Sequence, residues 1–357
     1  MAYCSLRVHL HERSYDIEIG RALIADAGAR ILKAAPARRA LVLTDETVRP
    51  LYAGQLMASL AQAGCEAALV AVEPGEGSKR LAVLGHVYDA LAAHGMGRDD
   101  LLIALGGGVV GDLGGFAAAT YLRGIRYAQV PTTLLALVDS AVGGKTAIDL
   151  AAGKNLVGAF HQPAAVVADP DVLTTLSDRV FADGMAEVIK YALAFDESLL
   201  SLLGGARAHA QDNMEQIVLR CLDLKRRVVE ADERDRGERM LLNLGHTLGH
   251  AIEAAQHFRD YTHGEAVAAG MHLIARLGER AGLTEKGTAD RVASILTAWR
   301  LPTACDKALL SAMRPMLLRD KKHIGGALNI VVLERCGRAR IERVDASFFE
   351  GVEQWLR

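Results

Sequence analysis

The sequence predicts an α/β protein: an N-terminal, mostly parallel sheet with helices on its faces, followed by a mainly α-helical C-terminal half. Three observations carry this reading. Short apolar runs alternate with helix-like segments up to about residue 173, a glycine-rich loop follows the most apolar of those runs, and the remainder shows long helical periodicity with few turn signals. In order, residues 40–43, 67–72, 101–105, 127–130 and 165–168 read as strands, with a helical stretch from about Val48 after the first. Residues 198–229, 240–256 and 265–281 read as long helices. Residues 328–344 read as a small hairpin, with Asn329-Ile330-Val331-Val332-Leu333 leading into Cys336-Gly337 and then Arg340-Ile341. The expected domains are 1–175 and 176–357, with neither an internal repeat nor a low-complexity linker.

At 357 residues the chain exceeds what one hydrophobic core usually serves. Hydrophobic residues make up 51% but aromatics only 5%, a mixture that suits helices packed tightly on a sheet. The formal net charge is -2 with both signs spread along the chain, whereas nucleic-acid binders concentrate basic charge. No nucleic-acid partner is expected. Cys4, Cys65, Cys221, Cys305 and Cys336 never form a Cys-x-x-Cys pair, which argues against a disulfide framework and against a thiolate zinc site. Arg7, His9, His11, Glu12 and Arg13 leave no apolar region for a signal peptide, and no later run approaches a membrane span. The expectation is a cytoplasmic protein without a membrane partner.

Residues 101–105 run straight into Gly106-Gly107-Gly108-Val109-Val110-Gly111-Asp112-Leu113-Gly114-Gly115 and then a helical segment. Gly106, Gly108 and Gly111 fit the G-x-G-x-x-G spacing, in which missing side chains let backbone N–H groups and a helix N-terminus approach a pyrophosphate. A glycine-rich turn packed against a helix would look the same on spacing alone. The strand before the loop favours a Rossmann-like nucleotide site, although the loop comes later in the chain than the usual fingerprint. Asp45, ending an earlier strand, stands where a ribose hydroxyl would be met, and where a helix N-cap would also be found.

His246 and His250 lie four apart in Asn243-Leu244-Gly245-His246-Thr247-Leu248-Gly249-His250, on one face if helical. His263 precedes another helix, and Glu187 in Ala186-Glu187-Val188-Ile189-Lys190 is a possible acidic partner. Three protein ligands with one open position make a catalytic zinc site, and spacing leaves open which three of these four bind. Cationic residues recur inside small-residue or apolar motifs: Arg123, Lys145, Lys154, Lys190, Lys225, Arg239, Lys321 and Lys322. A lone lysine is ordinarily a solvated one; collectively they fit a small molecule carrying phosphate and carboxylate groups.

Together these motifs resemble the 3-dehydroquinate synthase family over nearly the whole chain. The resemblance rests on the Gly106–Asp112 loop, Gln129-Val130-Pro131-Thr132-Thr133-Leu134-Leu135, Val138-Asp139-Ser140-Ala141-Val142-Gly143-Gly144-Lys145-Thr146, Gly153-Lys154-Asn155, the Glu187 and His246 segments, His263-Gly264-Glu265-Ala266-Val267, and Leu318-Arg319-Asp320-Lys321-Lys322. It implies NAD, bound by the first domain, and a divalent metal, zinc or cobalt, bound with the substrate by the second. The metal ligands it implies are Glu187, His246 and His263, with His250 handling protons nearby. NAD is assigned to Asp45, Pro74, Gly75, Glu76, Gly77, Ser78, Lys79, Gly108, Val109, Val110, Gly111, Asp112, Thr132, Thr133, Lys145, Lys154, Val172, Leu173, Thr174 and Thr175. Lys145, Asn155, Arg123, Asn243, His250 and one of Lys321 or Lys322 match the phosphate cradle. Lys225 and Arg239 match the pair on the substrate carboxylate, and Asp139 and Lys190 the groups on ring hydroxyls. Family members often have Gln, Ser and Asn where this chain has Leu137, Ala141 and Asp149.

The reaction so implied converts 3-deoxy-D-arabino-heptulosonate 7-phosphate to 3-dehydroquinate and phosphate. It proceeds through transient oxidation by NAD, phosphate elimination, reduction and an intramolecular aldol closure, in the shikimate pathway that supplies aromatic amino acids. The family also implies a homodimer, with Arg123 reaching across it. Two alternatives share the architecture. Another sugar phosphate cyclase would lack the use for Lys225 with Arg239, and a metal-dependent NAD polyol dehydrogenase would not need so many cations. A binding protein without catalysis is disfavoured, because no proposed ligand is missing.

Overall fold

The computed structural model describes residues 3–256, 260–309, 313 and 328–355; Lys321 and Lys322 lie outside them. One unit comprises Met1–Leu176 with Lys225–Glu230, the other Ser177–Leu224 with Ala231–Arg357. The first is built on a seven-stranded sheet of β1 (Cys4–Val8), β2 (Tyr15–Ile19), β3 (Arg39–Asp45), β4 (Glu66–Val72), β5 (Leu101–Gly106), β6 (Arg126–Pro131) and β9 (Ala165–Ala168); β7 (Lys145–Leu150) and β8 (Gly153–Phe160) form a separate antiparallel ribbon. The order is β1-β2-β9-β6-β5-β3-β4, parallel throughout except for the antiparallel β1–β2 pair. All six residues of β5 are buried, as befits a central parallel strand covered on both faces.

The helices of this unit are α1 (Ala27–Ala34), α2 (Gly54–Gln62), α3 (Leu81–Ala93) and α4 (Gly108–Thr120). α4 packs on β5, β6 and β7, and its small residues set how closely. A Cβ on Gly115 would overlap the Thr146 methyl, and one on Gly114 would press on Leu102, Ala104 and Leu43 at 3.1–3.3 Å. Leu41, Leu43, Leu102, Leu113 and Tyr127 fill the core beneath. The β1–β2 hairpin was not expected from the apolar runs. Tyr15, Ile17 and Ile19 are buried while Asp16 and Glu18 are half-buried, so its signal is a five-residue alternation rather than a run.

The second unit contains α5 (Asp178–Ala194), α6 (Leu200–Leu203), α7 (Arg207–Asp212), most of α8 (Met214–Ala231), α9 (His246–Ala255), α10 (His263–Arg280) and α11 (Thr288–Ala298). It also holds the hairpin of β10 (Leu328–Arg335) and β11 (Arg338–Val344), turning at Gly337 with φ 80°. Two expected helices are corrected. Residues 198–229 do not form one helix: Gly204 and Gly205, at φ 59° and 70°, and then Asn213 break it into shorter pieces. Residues 240–256 likewise divide into a 3-10 turn, Glu238–Asn243, and α9, because Gly245 adopts φ 80° between them. α10 is buried almost all round, from Gly264 to Gly278, the pattern of a central helix. It packs on α5, α9 and α11.

The closest approaches involve glycine. A Cβ on Gly270 would fall on the carbonyl oxygen of Gly245, and one on Gly249 would lie 3.2 Å from the Val267 backbone. A Cβ on Gly264 would fall on the Asp183 carbonyl of α5. Gly270→Ala is therefore expected to lower the urea midpoint by an amount equivalent to about 1–3 kcal/mol. Gly85→Ala, in α3 with no atom within 4 Å of the new methyl, should raise it by about 0.5–1 kcal/mol.

Candidate active site

From β3 the chain steps outward to β4, then returns past β3 to β5, β6 and β9. Ligands of such sheets bind outside the carboxyl ends of the strands, at the reversal. Asp45 ends β3, Pro74, Gly75, Glu76, Gly77, Ser78 and Lys79 follow β4, and Gly108, Val109, Val110, Gly111 and Asp112 open α4 directly after β5. Thr132 and Thr133 follow β6, and Val172, Leu173, Thr174 and Thr175 lie in the 3-10 turn after β9. Five separate stretches are thus gathered along one edge of the sheet, while Lys145 and Lys154 lie on the ribbon.

Gly107 is extended, at φ -75° and ψ -171°, and delivers the chain into the thirteen-residue α4, whose N-terminal N–H groups and dipole favour an anion. Thr132 Oγ1 is buried without a hydrogen-bond partner among the described residues, a vacancy suited to a polar ligand atom. Asp45 Oδ1 accepts from the N–H groups of Thr47 and Val48 at 2.8 and 2.9 Å, so it closes the following turn as well as facing the strand ends. Lys79 is buried, donating to Asp112 at 2.8 Å and Asn155 at 2.6 Å. Burial pulls its pKa down, but the Asp112 and Glu76 carboxylates outweigh this and hold it above the ordinary value. Asn155 takes φ 55°, and its N–H donates to Asp149 Oδ1 at 2.7 Å. Asp149 Oδ1 therefore anchors this turn.

In the second unit three helices converge. Glu187 projects from α5 and is 1% exposed, with the equally buried Lys190 ammonium ion-paired to it from the next turn. His246 is the first residue of α9 and His263 the first of α10. Thr262 and Glu265 form a capping box at the start of α10, and the Gly264 N–H donates to Asp183 of α5 at 2.6 Å. Nε2 of His246 lies 3.7 Å and Nε2 of His263 3.4 Å from Glu187 Oε1. One carboxylate oxygen and two imidazole nitrogens within 4.8 Å of one another form a donor set that a divalent ion such as zinc fits. His250 is exposed and belongs to a second group, with Glu253 and His263. The face shared by His246 and His250 thus does not define the Glu187 cluster, although their rings lie 5.3 Å apart.

Burial holds His246 down to about 3, helped by Lys190 and the neighbouring imidazoles. Burial also pulls His263 down, but hydrogen bonds to Glu187 and Glu253 outweigh it and lift this ring to about 10. Lys225 ion-pairs with the Asp139 carboxylate and donates to the Asp139 carbonyl at 2.6 Å, within the first unit. Arg239, 2% exposed and in the second unit, donates to the Glu233 carbonyl at 2.6 Å. Asn243 ends the 3-10 turn before Gly245 and is half-buried; Lys145 and Arg123 are exposed, Arg123 at φ 70° beside Leu122 at 51°. Glu253 and Asp183 escaped the sequence reading. Glu253 follows His250 by three residues, the helical spacing that would have flagged it.

The 3-dehydroquinate synthase N-terminal family model matches residues 69–183, and the C-terminal model residues 184–323. The 3-dehydroquinate synthase of Clostridium kluyveri is 45% identical over 342 residues, covering 95% of each chain. The chain belongs to the 3-dehydroquinate synthase family. Among solved structures, the 2-epi-5-epi-valiolone synthase of Streptomyces hygroscopicus, with NAD+ and Zn2+ bound, superposes with a TM-score of 0.86 at 30% identity, covering 96% of this chain and 97% of that one. A 2-deoxy-scyllo-inosose synthase gives 0.87 at 24% identity, covering 98% and 99%, and shares the fold. The α/β first half and helical second half are thus those of this family and its cyclase neighbours.

The two displaced histidines give this 3-dehydroquinate synthase family member opposite pH limits in the metal-free form. The raised folded value of His263 stabilises the protein fully below 6.5, a contribution lost as pH rises through about 10; the lowered value of His246 costs stability as pH falls from 6.5 toward about 3. With chelator present, the melting temperature of His263→Gln should lose the decline on the alkaline side that the parent protein shows.

Proposed function

We propose that this chain closes the carbocycle of 3-dehydroquinate from 3-deoxy-D-arabino-heptulosonate 7-phosphate, releasing phosphate, as a carbon–oxygen lyase of the shikimate pathway. The observation that carries the proposal is the near-full-length identity to a 3-dehydroquinate synthase, joined to a donor set of one carboxylate and two imidazoles. When bound, NAD would accept a hydride and return it, and the metal, zinc or cobalt, would polarise neighbouring substrate oxygens. The gathered strand ends support the first assignment, with Thr132 Oγ1 open to a ligand atom. Glu187, His246 and His263 would hold the metal.

Lys225 and Arg239 hold the substrate carboxylate, and Asp139 and Lys190 the ring hydroxyls. The ion pairs Lys225–Asp139 and Lys190–Glu187 keep these side chains oriented before substrate arrives. Lys145, Asn155, Arg123, Asn243 and His250 hold the phosphate, which takes the neighbouring C–H proton as it leaves. His250, exposed and one helical turn from His246, relays the hydroxyl proton. The residues then fix the conformation in which ring opening and aldol closure follow. The cytoplasmic location and the homodimer, with Arg123 at its interface, belong to the same reading; among the described residues no helix is long and apolar enough to cross a membrane.

The test is phosphate release from the heptulosonate phosphate with catalytic NAD, before and after metal stripping, while following NADH absorbance. Metal-dependent release that exceeds the NAD supplied and accumulates no NADH is expected. Steady NADH formation from a neutral polyol, without phosphate release, would move the chain to the dehydrogenases. His250→Ala should lower kcat by about 10²–10⁴-fold while the bound metal stays at one per chain; metal loss in that variant would make His250 a ligand instead.

A further inference from the structure

We infer that Glu253 is a positioning residue for His263, fixing which imidazole nitrogen is offered to the metal; the inference rests on the reading that Glu187, His246 and His263 hold that ion. Glu253 stands on α9, three residues after His250, and is 3% exposed. A carboxylate that deeply buried is costly unless something compensates it. Its Oε2 lies 3.3 Å from Nδ1 of His263. An ionised carboxylate only accepts hydrogen bonds, so Nδ1 must carry the hydrogen. The lone pair of the neutral ring is then on Nε2, the nitrogen that faces Glu187 Oε1 at 3.4 Å.

His246 reaches the same tautomer by another route, since its Nδ1 lies 3.2 Å from the Leu244 carbonyl oxygen and its Nε2 turns to Glu187. The two rings are therefore held by acceptors of different strength. A backbone carbonyl orients one, and a carboxylate both orients the other and makes it a stronger electron donor. The competing arrangement uses His250, Glu253 and His263 as ligands themselves, their donor atoms also lying within 4.8 Å of one another. An ion held through Nδ1 of His263 in that arrangement would displace the hydrogen that Nδ1 gives to Glu253, so the two uses of this nitrogen exclude each other.

The experiment uses the full chain with Zn2+, and with Co2+ as a spectroscopic probe, comparing Glu253→Gln and Glu253→Leu with the parent. Metal affinity is read by chelator competition, the ligand field from the Co2+ visible spectrum, and the His263 Nδ1–H from histidine-labelled NMR of the zinc form. We expect both variants to keep one ion per chain and bind it about 10–100-fold more weakly, Leu more so than Gln. The Co2+ bands should shift without losing intensity, and the Nδ1–H resonance should move upfield. A residue that merely fills space would change thermal stability and leave the spectrum alone. Parent-like affinity and spectra in both variants would overturn the inference, as would complete loss of the ion in Glu253→Gln, which would make Glu253 a ligand. Glu253→Gln, matched in size, carries the test should the Leu variant fold poorly. Should Glu187→Ala and His246→Ala bind zinc as tightly as the parent, the metal assignment itself falls, a result separable from any behaviour of Glu253.

Discussion

Backbone contact between helices is the constraint on which the second unit depends. At Gly245, Gly249 and Gly270, where α9 and α10 meet, an added Cβ would fall within 3.2 Å of facing backbone atoms, and α10 begins against the Asp183 carbonyl of α5 at Gly264. Interiors are packed too densely to absorb a misplaced methyl, so these contacts fix the starts of α9 and α10. His246 and His263 are the residues at those starts. Their convergence on Glu187 follows from where the main chain can go, and the side chains complete an arrangement the backbone has set.

The charges are arranged to match. Glu187 and Lys190 are buried together, and Lys79 is buried with Asp112 beside it. Removing one member of such a pair leaves an uncompensated charge, which is why pairs of this kind are costly to disturb. The first unit works by different physics: apart from Lys145 and Lys154 on the ribbon, its candidate nucleotide residues come from five separate stretches that the parallel sheet gathers at the carboxyl ends of its strands.

The sequence disclosed most where burial is complete. β5 and β9 are buried along their whole length and read as apolar runs, whereas the half-exposed β2 leaves only a short alternation. The break at Gly204 and Gly205 was hidden because the apolar spacing resumes beyond it, so periodicity alone carries the reader across the gap. Among the candidate ligands the residues left four possibilities, and helical spacing singled out His246 with His250. That argument compares positions on one helix, while the cluster with Glu187 draws a single donor from each of three helices. The spacing after His250 marks Glu253 as a helix-face neighbour, yet among alanines it looks like a solvated residue, and only packing reveals that it is buried.

The glycine contacts also separate two properties that commonly vary together. Spacing among the three donor positions is set by main-chain atoms, while the character of the donors is set by the side chains attached there. Substitution at these positions or at their hydrogen-bond partners would change the donor set while leaving the glycine contacts between the helices in place. The glycines carry no chemistry of their own, yet they are the positions at which this chain can least accept a side chain.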